Sequence, residues 1–208
     1  PHIFYGETPV DGQDAPVLVF VHGVNGRASD WWFPVNDMYS LAFRAGYRTA
    51  FVSLNVDNSR DIDAIPTNVP VLRHALLAIS THFGGEAVYV VAHSKGGLDL
   101  QASLLDAPTA RLVKAVFTLA TPNQGTELAD WAFGPGQAAA GSLGLLNAAI
   151  ASITTGAVGQ VRPTADQVFT AFGIPFYTMA GSNAAVPANP LLSATGPILA
   201  SLTGNQPN

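Results

Sequence analysis

At 208 residues, with 48% hydrophobic and 11% charged side chains, the chain is long and apolar enough for one packed domain and too poor in charge for a disordered one. A formal net charge of −5 without any basic run argues against nucleic-acid binding. The lack of cysteine excludes a disulfide framework, a thiolate metal site and a cysteine nucleophile.

The first expected strand covers residues 17–21, Val-Leu-Val-Phe-Val, an unbroken apolar run of the kind buried on both faces of a sheet. The glycine turn His22-Gly23-Val24-Asn25-Gly26 follows it. Asp30 is placed to cap a helix over 31–45, which Gly46 ends. A second buried strand is expected over 49–54. A helix over 69–82 carries Leu72, Leu76 and Ile79 on one face and stops at Gly84-Gly85. The third strand covers 87–91, and an amphipathic segment over 98–105 leads to a helix end near Asp106-Ala107-Pro108. The fourth and fifth strands cover 112–119 and 176–180. Apolar strands alternating with helices predict an α/β fold with a parallel sheet of right-handed β-α-β units, in a single domain over 1–208.

About fifty residues part the fourth and fifth strands, more than a plain connection needs. Residues 123–172 are therefore read as a lid or cap, with an ordinary extra helical layer as the alternative. Leu143, Leu145, Leu146, Ile150 and Ile153 predict a short apolar helix there. The uncharged span between Asp130 and Arg162 is broken by Gly134, Pro135, Gly136, Gly141 and Gly144, so it is not read as a transmembrane helix. The first residue is Pro1, as after processing, and secretion to the extracellular or periplasmic space is the expected localisation.

Ala92-His93-Ser94-Lys95-Gly96-Gly97 carries the chemistry. It joins the third strand to a helix, the layout of a nucleophile elbow. The serine must stand on a strained, tight turn, and the residues two before and two after it must be small. Here they are Ala92 and Gly96. Ligands bind such sheets beyond the carboxyl ends of the strands, where His22-Gly23, Ser94 and Thr121-Pro122 converge. Ser94 is the expected nucleophile. The backbone N–H groups of Val24 and Lys95 are the expected oxyanion donors, aided by the helix N-terminus. His22 is expected to orient its loop, His93 to pack beside the elbow, and the Lys95 side chain to lie at the surface or against the lid.

Other candidates keep two readings. The segment Thr118 to Thr126 lines an acyl pocket, with Thr121 as the substrate-binding residue, or is a Pro-Gly turn. Trp31, Trp32, Phe33 and Trp131 line the entrance, with Trp31 touching substrate, or belong to the core. Asp57, Asp61 and Asp63 are read as solvated acids rather than metal ligands.

The His22-Gly23-Val24 turn, the elbow and the Ala120-to-Thr126 segment together resemble secreted bacterial lipases of the α/β-hydrolase superfamily. Phe176-Tyr177-Thr178-Met179-Ala180-Gly181 is similar to a later strand of that family, and extracellular polyhydroxyalkanoate depolymerases share the alanine-type elbow. The resemblance implies a serine carboxylic-ester hydrolase acting on esters with an apolar acyl group, with no cofactor, although calcium occurs in related lipases. It also implies a catalytic Asp and then a His after the serine. All five histidines precede Ser94 and no charged residue follows Asp166. The chain is therefore expected to be the larger part of a hydrolase, with Asp and His donated by a further segment or second chain. The alternatives are an inactive binding module of the same fold, a polyhydroxyalkanoate depolymerase and an acyltransferase.

Overall fold

The computed structural model describes residues 1–33, 36–55 and 57–180. A six-stranded sheet forms its centre, in the order β1-β3-β2-β4-β5-β6. The strands are β1 (His2–Tyr5), β2 (Val17–Val21), β3 (Arg48–Ser53), β4 (Val88–His93), β5 (Val113–Leu119) and β6 (Phe176–Met179). All neighbours pair in parallel except β1, which runs antiparallel along β3. The helices are α1 (Met38–Arg44), α2 (Ile65–His82), α3 (Lys95–Ser103), α4 (Ala107–Ala110), α5 (Glu127–Ala132), α6 (Gln137–Ser142), α7 (Ala148–Ala151) and α8 (Thr155–Phe172). None is long and apolar enough to cross a membrane.

Strand alternation divides the core. Val17, Val19 and Val21 point with Ala50, Val52, Val88 and Val90 towards Leu72, Leu76 and Ile79 of α2 and Leu100 of α3. Leu18 and Phe20 point the other way, with Phe51, Trp31 and Ala42. Phe20 stacks on Phe51 at 5.0 Å between ring centroids and meets Trp31 at 5.1 Å. A period of two thus explains why a continuous apolar run is needed: both faces of β2 are covered.

The predicted helix over 31–45 divides in two. A 3-10 turn spans Ala28–Trp31 and holds Asp30 inside it, where the Asp30 carboxylate accepts from the Arg27 N–H at 3.0 Å. α1 starts only at Met38, whose N–H donates to Asn36 Oδ1 at 3.0 Å. Gly46, at φ +84°, ends it as expected. α2 starts four residues before its expected origin, because Pro66 sits in the first turn, where its missing N–H costs nothing.

The single apolar helix expected around 143–153 does not form. Leu143 ends α6, Leu145 and Leu146 lie between helices, and only Ile150 lies in α7. Gly144, at φ +69°, takes a left-handed turn that breaks a continuous helix. The C-terminal half of α8 belongs to the main core through Ala165 and Phe169. Its first turns join α5 and α7 instead, where Val158, Ala129 and Ile153 bury a second cluster on Leu98 and Ile65.

Candidate active site

Ser94 sits between the end of β4 and the start of α3 with φ 52° and ψ −131°. A left-handed φ at a residue other than glycine costs about 1–3 kcal/mol and persists only when its surroundings hold it. The Ser94 N–H donates to the Leu119 carbonyl at 2.9 Å. The Ser94 carbonyl accepts from the Gly97 N–H at 3.1 Å and from the Thr121 hydroxyl at 2.9 Å. Strain recurs around it: Asn25, Ser94 and Ala120 are three of the four described non-glycine residues with positive φ, and each follows the end of a central strand.

The small residues are small for steric reasons. A Cβ on Gly96 would collide with the His22 carbonyl oxygen, and one on Gly97 with the Thr121 side chain. A Cβ on Gly23 would come within 2.7 Å of the Ser94 Cβ. Ala92 is fully buried in register with Val21 and Thr118. The three segments singled out in the sequence therefore touch at one sheet edge.

The 22–26 turn is built by its own histidine. Buried His22 donates from Nδ1 to the Gly23 carbonyl at 3.0 Å and accepts at Nε2 from the Leu54 N–H at 3.1 Å. These bonds need the neutral ring protonated on Nδ1, and burial lowers its pKa in the same sense. Asn25 donates its N–H to the Asp61 carbonyl, and Asp61 returns its own N–H to the Gly26 carbonyl at 3.0 Å. Neither the Val24 nor the Lys95 backbone N–H has a hydrogen-bond acceptor among the described residues.

The Lys95 side chain is not at the surface or against a lid. It is fully buried, 3.0 Å from both Asp99 carboxylate oxygens and 3.3 Å from Asp61 Oδ2. Asn68 of α2 donates to the same two carboxylates at 3.0 and 3.3 Å. Asp61 is thus no solvated loop acid; its exposure is zero. Burial beside a second carboxylate pushes Asp99 up to about 7, although Lys95 pulls it down. The four-residue spacing of Lys95 and Asp99 is a signal that a helical reading could have used. Asp61 comes from a distant loop and left no such trace.

Thr121 braces the elbow through its hydroxyl. Trp31, expected at the entrance, is instead core, 5% exposed among Phe20, Ala28 and Phe51. Trp131 packs with Ala132, Ala140 and Leu145. Phe33 alone of the four aromatics is largely exposed. None of the five histidines is hydrogen-bonded to the Ser94 hydroxyl among the described residues: His93 is its chain neighbour, His22 is engaged in its turn, His82 stacks on Tyr5, and His2 and His74 are exposed.

A cavity of about 410 Å³ opens beside α3, between α2, α7 and α8. Ile65, Pro66, Leu98, Ala148, Ala151 and Val158 make it apolar, with Gln101 and Arg162 among its polar lining residues. Ser94 and Val24 do not line it, but Leu98 lies one turn along α3 from Ser94, about 6 Å of helix rise.

No family model and no curated protein matches the sequence. Solved structures do. The mature form of the Bacillus licheniformis lipase BlEst2 is 30% identical over 99% of this chain and 81% of its own, with a TM-score of 0.81. Its propeptide form is 34% identical over 88% of this chain, which spans 39% of that longer polypeptide, with a TM-score of 0.77. A metagenomic carboxyl esterase, MGS0156, shares the fold at 16% identity and a TM-score of 0.66, over 93% of this chain and 57% of its own. The parallel sheet, the strained serine elbow and the similarity to the mature lipase together place this chain in the lipase/esterase family of the α/β-hydrolase fold.

Proposed function

We propose that the protein is a serine carboxylic-ester hydrolase that works through an acyl-enzyme on Ser94. The observation that carries this reading is the backbone of Ser94, held at φ 52° between β4 and α3 by hydrogen bonds to Leu119, Gly97 and Thr121. Such strain has no purpose in an ordinary helix cap, where the residue before the helix takes extended geometry. It lifts the side chain above the sheet edge.

In this mechanism the Ser94 Oγ attacks the ester carbonyl carbon while a general base takes the hydroxyl proton. The carbonyl oxygen becomes an oxyanion, held by the Val24 and Lys95 N–H groups. Their lack of other acceptors among the described residues supports that role. The tetrahedral species collapses, the C–O bond breaks, and the alcohol leaves with the proton. Water then attacks the acyl-enzyme by the same steps and frees the acid. The placement of the five histidines supports a base and orienting acid supplied by a further polypeptide segment. Among the described residues β6 is the last strand of the sheet, with Tyr177 and Met179 exposed at 53% and 68%, and its edge offers that segment a place to pair.

The substrate class proposed is an ester with an apolar acyl group. The cavity beside α3 has the volume and lining that bind apolar ligands, in the usual range of about 300–1,000 Å³. Helices α5–α7 with the first turns of α8 would form its cap. An inactive binding module is favoured by one observation, the absence of a histidine bond to Ser94. Steady-state hydrolysis of p-nitrophenyl acetate and octanoate, by the chain together with the segment that supplies the base, decides between them. A hydrolase turns both over and loses about a thousandfold or more in S94A. Equal rates for wild type and S94A would leave the binding module.

A further inference from the structure

We propose that the buried Asp61–Lys95–Asp99 cluster is a positioning device that sets the separation of the two backbone amides, of Val24 and Lys95, that hold the oxyanion. This rests on Ser94 being the nucleophile.

The two amides belong to different segments, one on the turn after β2 and one at the start of α3. The sheet sets the two segments side by side through the Val21–Ala92 pair, but each amide lies three residues beyond it. Asp61 fixes their spacing with both halves of the residue. Its backbone clamps the turn at two points, accepting from the Asn25 N–H and donating to the Gly26 carbonyl. Its carboxylate reaches Lys95 Nζ at 3.3 Å. Lys95 in turn supplies one of the oxyanion amides from its own backbone, and its side chain is tied to Asp99 one helical turn on at 3.0 Å. Asn68 cross-links both carboxylates to α2.

The unbroken path from one amide to the other is therefore Val24, Asn25, Asp61, Lys95. Lys95, Asp61 and Asp99 have zero exposure, so the ion pairs are not loosened by water. A buried ionic group of this kind does little for net stability compared with apolar packing, and its retention is explained by the geometry it specifies. Loss of alignment by about 1 Å at such a site costs about a hundredfold in rate.

The test uses D61N, and a second variant, K95M/D99N, that removes one cation with one anion. Ester turnover and amide hydrogen exchange are measured on each. D61N keeps the size and backbone clamp but turns a nitrogen donor towards Lys95. The expected result is a fall in kcat of about 10- to 100-fold with KM within about twofold. Exchange at Asn25 and Gly26 rises at least about tenfold, while amides of Leu72, Leu76 and Ile79 in α2 keep wild-type protection. Folded variants with unchanged kcat and unchanged exchange in the turn would overturn the proposal. S94A separates the two levels. If S94A is inactive and D61N keeps the wild-type kcat, positioning fails and the nucleophile stands. If S94A retains turnover, the nucleophile itself fails. The exchange measurement needs no turnover and decides the structural half by itself.

Discussion

Neutralising Asp99 changes how stability depends on pH, and the sign follows from its burial. In the unfolded chain a carboxylate titrates near 3.8, whereas in the fold burial holds the Asp99 proton up to about 7. Between these values the native state binds a proton that the unfolded state has released. Stability therefore falls as pH rises through this window, by about 1.4 kcal/mol per pH unit. From pH 5 to pH 7 the loss is on the order of 2 kcal/mol, and above pH 7 it levels off. D99N removes the titrating group, so the difference between wild type and D99N must shrink or reverse across that interval by the same amount. At a urea m-value of about 3 kcal/mol/M this shifts the relative midpoints by about 0.7 M. Urea unfolding of both proteins at pH 5, 6, 7 and 8 measures it. Buried His22 acts in the opposite sense, because the unfolded ring takes a proton below its ordinary 6.5 while the native ring resists it. That contribution is common to both proteins and cancels in the difference. A constant wild-type-to-D99N gap from pH 5 to pH 8 would refute the account of the cluster.

Two further substitutions test the elbow and the cavity. G96A drives a methyl group into the His22 carbonyl oxygen, so the elbow and the 22–26 turn must part. It is expected to cost about 1–3 kcal/mol in urea unfolding and to abolish ester turnover. A151F fills the cavity beside α3. It is expected to lower kcat/KM for p-nitrophenyl octanoate about tenfold relative to acetate; an unchanged ratio would place the acyl chain elsewhere.

The central strands were legible because β-branched runs such as Val17 to Val21 and Val88 to Val91 are buried on both faces and need no alternation. β1 was not, since four mostly exposed edge residues, His-Ile-Phe-Tyr, carry little apolar signal. The region over 28–44 misled because Asp30 has the side chain of a cap but uses it inside a 3-10 turn, while Asn36 serves the helix. At the site, Ser94, Gly96 and the 22–26 turn could be read from steric need alone. Thr121 was placed at the right sheet edge, but its bond to the Ser94 carbonyl depends on three-dimensional packing. The Lys95 cluster escaped because Asp61 lies 34 residues before Lys95, and no local pattern links them. Trp31 and Trp131 follow the core reading that the sequence left open, because aromatic residues near a site in sequence fill the core unless something holds them out.

The most direct measurement is covalent labelling with a fluorophosphonate ester, followed by peptide mass analysis of wild type and S94A. The account predicts one adduct, on the peptide containing Ser94, and none in S94A. No adduct on Ser94 in the folded wild-type protein together with the base-supplying segment, or equal labelling of S94A, would contradict it.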